Sequence, residues 1–200
     1  MSLSRRIVLA SLLATPFATA WADDADPRMG ERSIGKADAA VTVIEWFSLT
    51  CTHCAAFQKE TFPQVKTELI DTGRIRYVWR DYPLDQVALT AAMVARALPP
   101  ERYEPFISAL LGSQDRWAFA RGVNSTEELA KLSGLAGLPR ATFDTTIADA
   151  ELKAAILSGQ AEAEQKFKVQ STPSFIMNGR LTSGAVTYAT FLKAVTEAAA

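Results

Sequence analysis

The chain alternates short, dense apolar runs with longer stretches whose apolar positions recur every three or four residues. Val41-Thr42-Val43-Ile44-Glu45-Trp46-Phe47 is dominated by β-branched and aromatic residues, the pattern of a strand covered on both faces. Cys51-Thr52-His53-Cys54 follows within four residues. From Thr52 onward Ala55, Ala56 and Phe57, then Val65, Leu69 and Ile70, predict a helix that Asp71-Thr72-Gly73 ends. Pro63 must kink or break it, because proline has no N–H to donate and crowds the preceding turn. Ile75-Arg76-Tyr77-Val78-Trp79-Arg80 alternates as a second strand. Strand, CxxC, helix, strand predicts a parallel βαβ unit with the cysteines just past a strand end.

The middle of the chain reads as helical. Residues 86–98, rich in Ala, Leu, Val and Met, form a helix stopped by Pro99-Pro100, and residues 103–111 form another. Ser125-Thr126-Glu127-Glu128 matches a capping box that opens a helix to about Gly134, and residues 139–147 add a turn or two. Asp149 caps a longer helix with Leu152, Ile156, Ala163 and Phe167 on one face, an ordinary core-packing stripe. The run Ser171-Thr172-Pro173-Ser174-Phe175-Ile176-Met177 is again strand-like, and Asn178-Gly179 before Arg180-Leu181 is a strong hairpin signal. A helix over about 187–198 closes the chain. No repeat or linker is visible, so the helical middle, about residues 85–148, reads as an insertion in one compact α/β unit, a central β-sheet flanked by helices.

Composition narrows the function classes. At 200 residues, 48% hydrophobic and 22% charged, the chain can bury a core as one domain, which excludes disorder as its dominant state. A formal charge of -1 supplies no field that would draw it to nucleic acid or an anionic membrane, and neither is expected as a partner. Arg5 and Arg6, an apolar run over residues 7–17 and Ala20-Trp21-Ala22 make residues 1–22 read as a cleaved signal peptide. That run is about half of the roughly 20 residues a helical span needs. Ser4-Arg5-Arg6 fits a twin-arginine signal as well as the ordinary positive charge of any export signal. Residues 23–200 are then expected as a soluble monomer in an exported, oxidising compartment: the periplasm.

Two cysteines at i and i+3 at a helix start can form a strained local disulfide, and the first sulfur meets the partial positive charge of unpaired N–H groups. Cys51 is therefore the expected attacker and leaving group, and stabilising its thiolate makes the disulfide a stronger oxidant. Cys54, one turn into the helix, is expected to be buried and to resolve a mixed disulfide. No cofactor is expected beyond this redox-active pair. Half of a zinc site is the competing reading, but structural zinc takes four ligands and the chain offers two cysteines and one histidine, His53. His53 either adds positive charge or a hydrogen bond to the thiolate or is a solvated first-turn residue. Glu45 either is buried, with a raised pKa and a proton to exchange with Cys54 through a water, or reaches solvent or an arginine at the strand end.

Several of these segments are familiar as an ordered set: residues 44–54, Phe62-Pro63, Arg80-Asp81-Tyr82-Pro83-Leu84, and Thr172 to Gly179. From about Ser33 to Thr196 the chain resembles the DsbA-like thiol-disulfide oxidoreductases of bacterial envelopes. The resemblance implies a thioredoxin-like fold with an inserted all-helical subdomain. It also implies Cys51 as nucleophile, Cys54 as resolving thiol, Glu45 as proton-relay carboxylate, and Thr172-Pro173 as a loop with a cis peptide facing the cysteines. A backbone exposed beside a disulfide can pair with an extended substrate as an added strand, with Thr172 as the pairing residue and Thr52 beside it. The implied partners are exported polypeptides with free cysteines and a quinone-linked membrane protein that restores the disulfide. The family's oxidases commonly have Pro where this chain has Thr52, and Thr before the cis-proline also occurs in related isomerases. Redox direction therefore stays open between oxidase and reductase or isomerase, and a peptide-binding chaperone of the same fold is a further alternative.

Overall fold

The structure is a computed structural model that describes residues 26–200; the export signal expected at residues 1–22 lies outside them. The predicted βαβ unit is its centre. β2 (Val41–Phe47) and β3 (Ile75–Asp81) run parallel with Glu45 opposite Trp79. Between them lie α1 (Thr52–Glu60), α2 (Phe62–Val65) and a π-helical turn over Lys66–Ile70. Pro63 breaks the helix as expected: it sits in the first turn of α2, where a missing N–H leaves no intrahelical bond unmade.

A three-residue strand too short to show any period in the sequence, β1 (Arg32–Ile34), pairs antiparallel with β3. On the other side β4 (Ser174–Met177) pairs antiparallel with β2, and β5 (Arg180–Ser183) with β4, giving the sheet order β1-β3-β2-β4-β5. The β4–β5 turn is the predicted Asn178-Gly179, both residues at positive φ (45° and 86°), as a two-residue type I′ hairpin requires.

Between β3 and the long α8 (Ala150–Phe167) come α3 (Gln86–Ala97), α4 (Pro100–Leu111), α5 (Gln114–Trp117), α6 (Ser125–Leu135) and α7 (Arg140–Ile147). Two sequence expectations are corrected here. Pro99-Pro100 ends α3, but Pro100 also opens α4 three residues earlier than the pattern suggested, since its fixed φ suits a first helical position. Asn124, not the expected capping box from Ser125, caps α6: its Oδ1 accepts the N–H groups of Thr126 (3.0 Å) and Glu127 (3.2 Å), and Ser125 is the first helical residue. Asp149 caps α8 as predicted, accepting from Glu151 and Leu152 at 3.0 Å each.

The sheet is covered on both faces. On one, Phe57 of α1, Phe175 of β4 and Phe191 of α9 (Tyr188–Ala199) form an aromatic cluster with centroids 4.7–5.8 Å apart. Phe62, Tyr77, Trp79 and Tyr103 extend that cluster into the inserted helices. On the other face Trp46 and Ile176 pack against Ala163 of α8. Arg96 of α3 forms a buried ion pair with Asp81 at the end of β3, rooting the insertion on the central unit.

Candidate active site

The loop after β2 carries no regular structure, so its backbone groups must find partners elsewhere. The Ser48 hydroxyl accepts the N–H groups of Thr50 (3.4 Å) and Leu84 (3.3 Å). Thr50 donates its hydroxyl to Asp85, the N-cap of α3 (2.7 Å). Gln114 of α5 donates its side-chain amide to the carbonyls of Leu49 (2.8 Å) and Cys51 (3.1 Å). Cys51 is thereby set as the N-cap of α1, its Sγ accepting the Cys54 N–H at 3.4 Å. The sulfur stands where the helix dipole is positive.

The two cysteines are pushed in opposite directions. Cys51, 7% exposed, falls from the usual thiol value of 9.0 to about 5. The hydrogen bond from the Cys54 thiol is the largest cause; Thr172 and the backbone N–H groups of Cys54 and His53 add to it, against burial. As a thiol, Cys51 donates to the Thr172 carbonyl at 3.3 Å. A thiolate has no proton to donate, and the Thr172 side chain, whose hydroxyl is buried with no other partner among the described residues, favours it. Cys54, 1% exposed, is raised well above 9.0, first by burial and then by its bond to Cys51 and the negative charge of Glu45.

Of the two environments open to Glu45, the structure has the buried one. Its side chain, 3% exposed, forms no ion pair with an arginine among the described residues and accepts the Tyr77 hydroxyl at 2.8 Å. Burial raises it from 4.5 to about 8, with Tyr77 opposing and Cys51 reinforcing. A carboxyl that keeps its proton near neutrality, electrostatically coupled to both cysteines, can hold a proton or release it.

Thr52 and His53 are exposed, and the His53 backbone N–H is the smallest of the causes that lower the Cys51 thiol. Thr172-Pro173 is a cis peptide, and Thr172 carries the carbonyl beside the sulfur. The structure thus brings Cys51, Cys54, Thr52, His53, Thr172 and Pro173 to one place, with Glu45 beneath. Asp85, Gln114 and Tyr77 were not singled out from the sequence. Asp85 was readable as a cap immediately before the Gln86 helix. Tyr77 needed the β2–β3 register, and a lone Gln114 in a four-residue helix carries no local signal.

A CxxC at the start of the first helix of such a sheet, faced by a cis-proline, defines the class: residues 28–197 match the family model described as Thioredoxin, and the chain belongs to that family. Its similar solved structures narrow the picture. Wolbachia pipientis alpha-DsbA1 is 27% identical with a TM-score of 0.78, covering 86% of this chain and 92% of that one. A thioredoxin-like oxidoreductase from Silicibacter pomeroyi is 26% identical with a TM-score of 0.67, over 86% and 93%. A Rickettsia prowazekii relative provisionally named a protein-disulfide oxidoreductase is 31% identical over 147 residues, 73% of this chain and 53% of that one. The chain spans about half the length of the curated relatives it matches.

Proposed function

We propose that this chain is a thiol-disulfide oxidoreductase of the DsbA type that gives its Cys51–Cys54 disulfide to cysteine pairs in exported polypeptides. The observation that carries this reading is the asymmetry of the pair: Cys51 caps α1 and is held as a thiolate, while Cys54 is buried and held as a thiol. A client thiolate attacks Cys51 Sγ; the Cys51–Cys54 bond breaks and Cys54 leaves with the electron pair, taking its proton from Glu45. The client's second thiolate then attacks the client sulfur of the mixed disulfide, and Cys51 leaves as a thiolate. Two electrons have passed from two client thiols to the protein, and a disulfide has formed in the client.

An exported location is supported by the signal-like residues 1–22, and no helix among the described residues is long and apolar enough to cross a membrane. Reoxidation falls to a quinone-linked membrane protein, the partner implied by the resemblance. The test is trapping: Cys54→Ala removes the resolving thiol, so mixed disulfides with client proteins should accumulate at Cys51. An envelope fraction without such adducts would sink the catalytic reading. Equilibration of the cysteine pair with glutathione fixes the direction, an oxidising couple being expected and a thioredoxin-like reducing one assigning the chain to reductases.

A further inference from the structure

We propose that Gln114, in the helical insertion, is a positioning residue for Cys51: its side-chain amide fixes the two carbonyls that bracket the cysteine loop and thereby sets the reactivity of the sulfur. The proposal rests on Cys51 being the attacking thiol.

Gln114 is 6% exposed in a helix of only four residues, a length with no stability of its own in water. The segment is held by Trp117, fully buried with its indole N–H on the Leu110 carbonyl at 2.8 Å. A methionine would fill the space of Gln114 without the cost of burying an amide. The amide is instead spent on the loop. Both atoms facing it are carbonyl oxygens, so it must present its NH2 group, and one hydrogen serves each oxygen.

Each bond has a separate effect. Leu49 is buried, and among the described residues its carbonyl has no other partner, so losing Gln114 would leave a desolvated acceptor and release the loop. The Cys51 carbonyl is the oxygen nearest the Cys51 sulfur along the covalent chain, and its negative end opposes a thiolate. Gln114 and Ala55, whose N–H is the first rung of α1 at 3.1 Å, share it and withdraw that charge. The sulfur's place is defined by the Cys54 N–H at 3.4 Å and the Thr172 carbonyl at 3.3 Å, ordinary distances for hydrogen bonds to sulfur, and a loop that shifts loses the N–H bond that favours the thiolate.

The experiment follows thiolate absorbance of the reduced protein against pH, with the glutathione equilibrium as second readout. Gln114→Met, which keeps the volume and loses both donors, should raise the Cys51 midpoint by about one unit, a tenfold loss of thiolate below both midpoints. Gln114→Glu should raise it further and carries the test if the Met variant does not fold. Phe143→Leu in α7, a buried apolar change that removes none of the loop's hydrogen bonds, should lower the melting temperature without moving the midpoint. Gln114 variants that melt lower yet titrate like the parent overturn the proposal. Iodoacetamide labelling of the parent at about pH 6, between the two thiol midpoints, separates the two ideas. Label found off Cys51 defeats the attacking-thiol reading, whereas label on Cys51 with an unmoved midpoint in the Gln114 variants defeats only the positioning role.

Discussion

Cys51 and Cys54 sit one helical turn apart and behave as different chemical groups, because one sulfur caps a helix N-terminus and the other is buried and feels the charge of Glu45. The alkylation rate of Cys51 should therefore titrate with a midpoint near 5, while Cys54 stays unreactive past the ordinary thiol range; mass mapping of labelled protein across pH checks both. Glu45 gives a prediction of opposite sign. Its folded pKa of about 8 lies above the ordinary 4.5, so the stability it permits is whole below pH 4.5 and is lost as pH rises through 8. Glu45→Gln keeps an acceptor for Tyr77 without the titration. At pH 7 it should stabilise the protein by about 3 kcal/mol, taking 1.4 kcal/mol per unit, and near pH 4 by almost nothing. Denaturant unfolding at the two pH values measures it. The anomaly at Glu45 was legible because a carboxyl inside a buried strand conflicts with its neighbours. Its partner Tyr77 was not, since only the parallel register puts both on one face.

At the scale of elements, the cysteine loop is moored by the starts of two inserted helices. Asp85 caps α3 through the Ala88 N–H at 2.7 Å and accepts the Thr50 hydroxyl with its other oxygen. Asp85→Ala should cost about 1–2 kcal/mol as a lost cap, and Thr50→Val about 1 kcal/mol as a lost hydrogen bond. The double variant should fall short of the sum by about 0.5–1 kcal/mol, because each single change already breaks the shared bond; urea unfolding of all four proteins closes the cycle. What the sequence showed at this scale was whatever is encoded locally: the Pro63 break, the Asp149 cap and the Asn178-Gly179 turn. What it hid depends on distant partners. β1 is a strand because β3 offers it an edge, and α5 exists because Trp117 and Gln114 find sites on other segments.

For the whole molecule, the thiolate is a stability term belonging to the reduced form. With its pKa lowered from 9.0 to about 5, Cys51 contributes fully above pH 9, progressively less as pH falls, and nothing below about 5. The melting temperature of the reduced protein, measured against that of the oxidised one, should therefore lose ground steadily from pH 8 to pH 5; a constant difference would contradict the thiolate assignment. The order of segments was enough to read the parallel centre and its helical insertion, while the packing of that insertion onto the cysteine loop emerged only from contacts more than sixty residues apart in the chain. Those contacts, with the Thr172 carbonyl beside the sulfur, leave Cys51 only 7% exposed next to the exposed Thr52 and His53. Only a chain still supple enough to bend inward can bring a sulfur there. In the proposed reaction, eligibility is thus a matter of timing: a client cysteine is served while its segment is loose, and drops out once folding draws it under a surface.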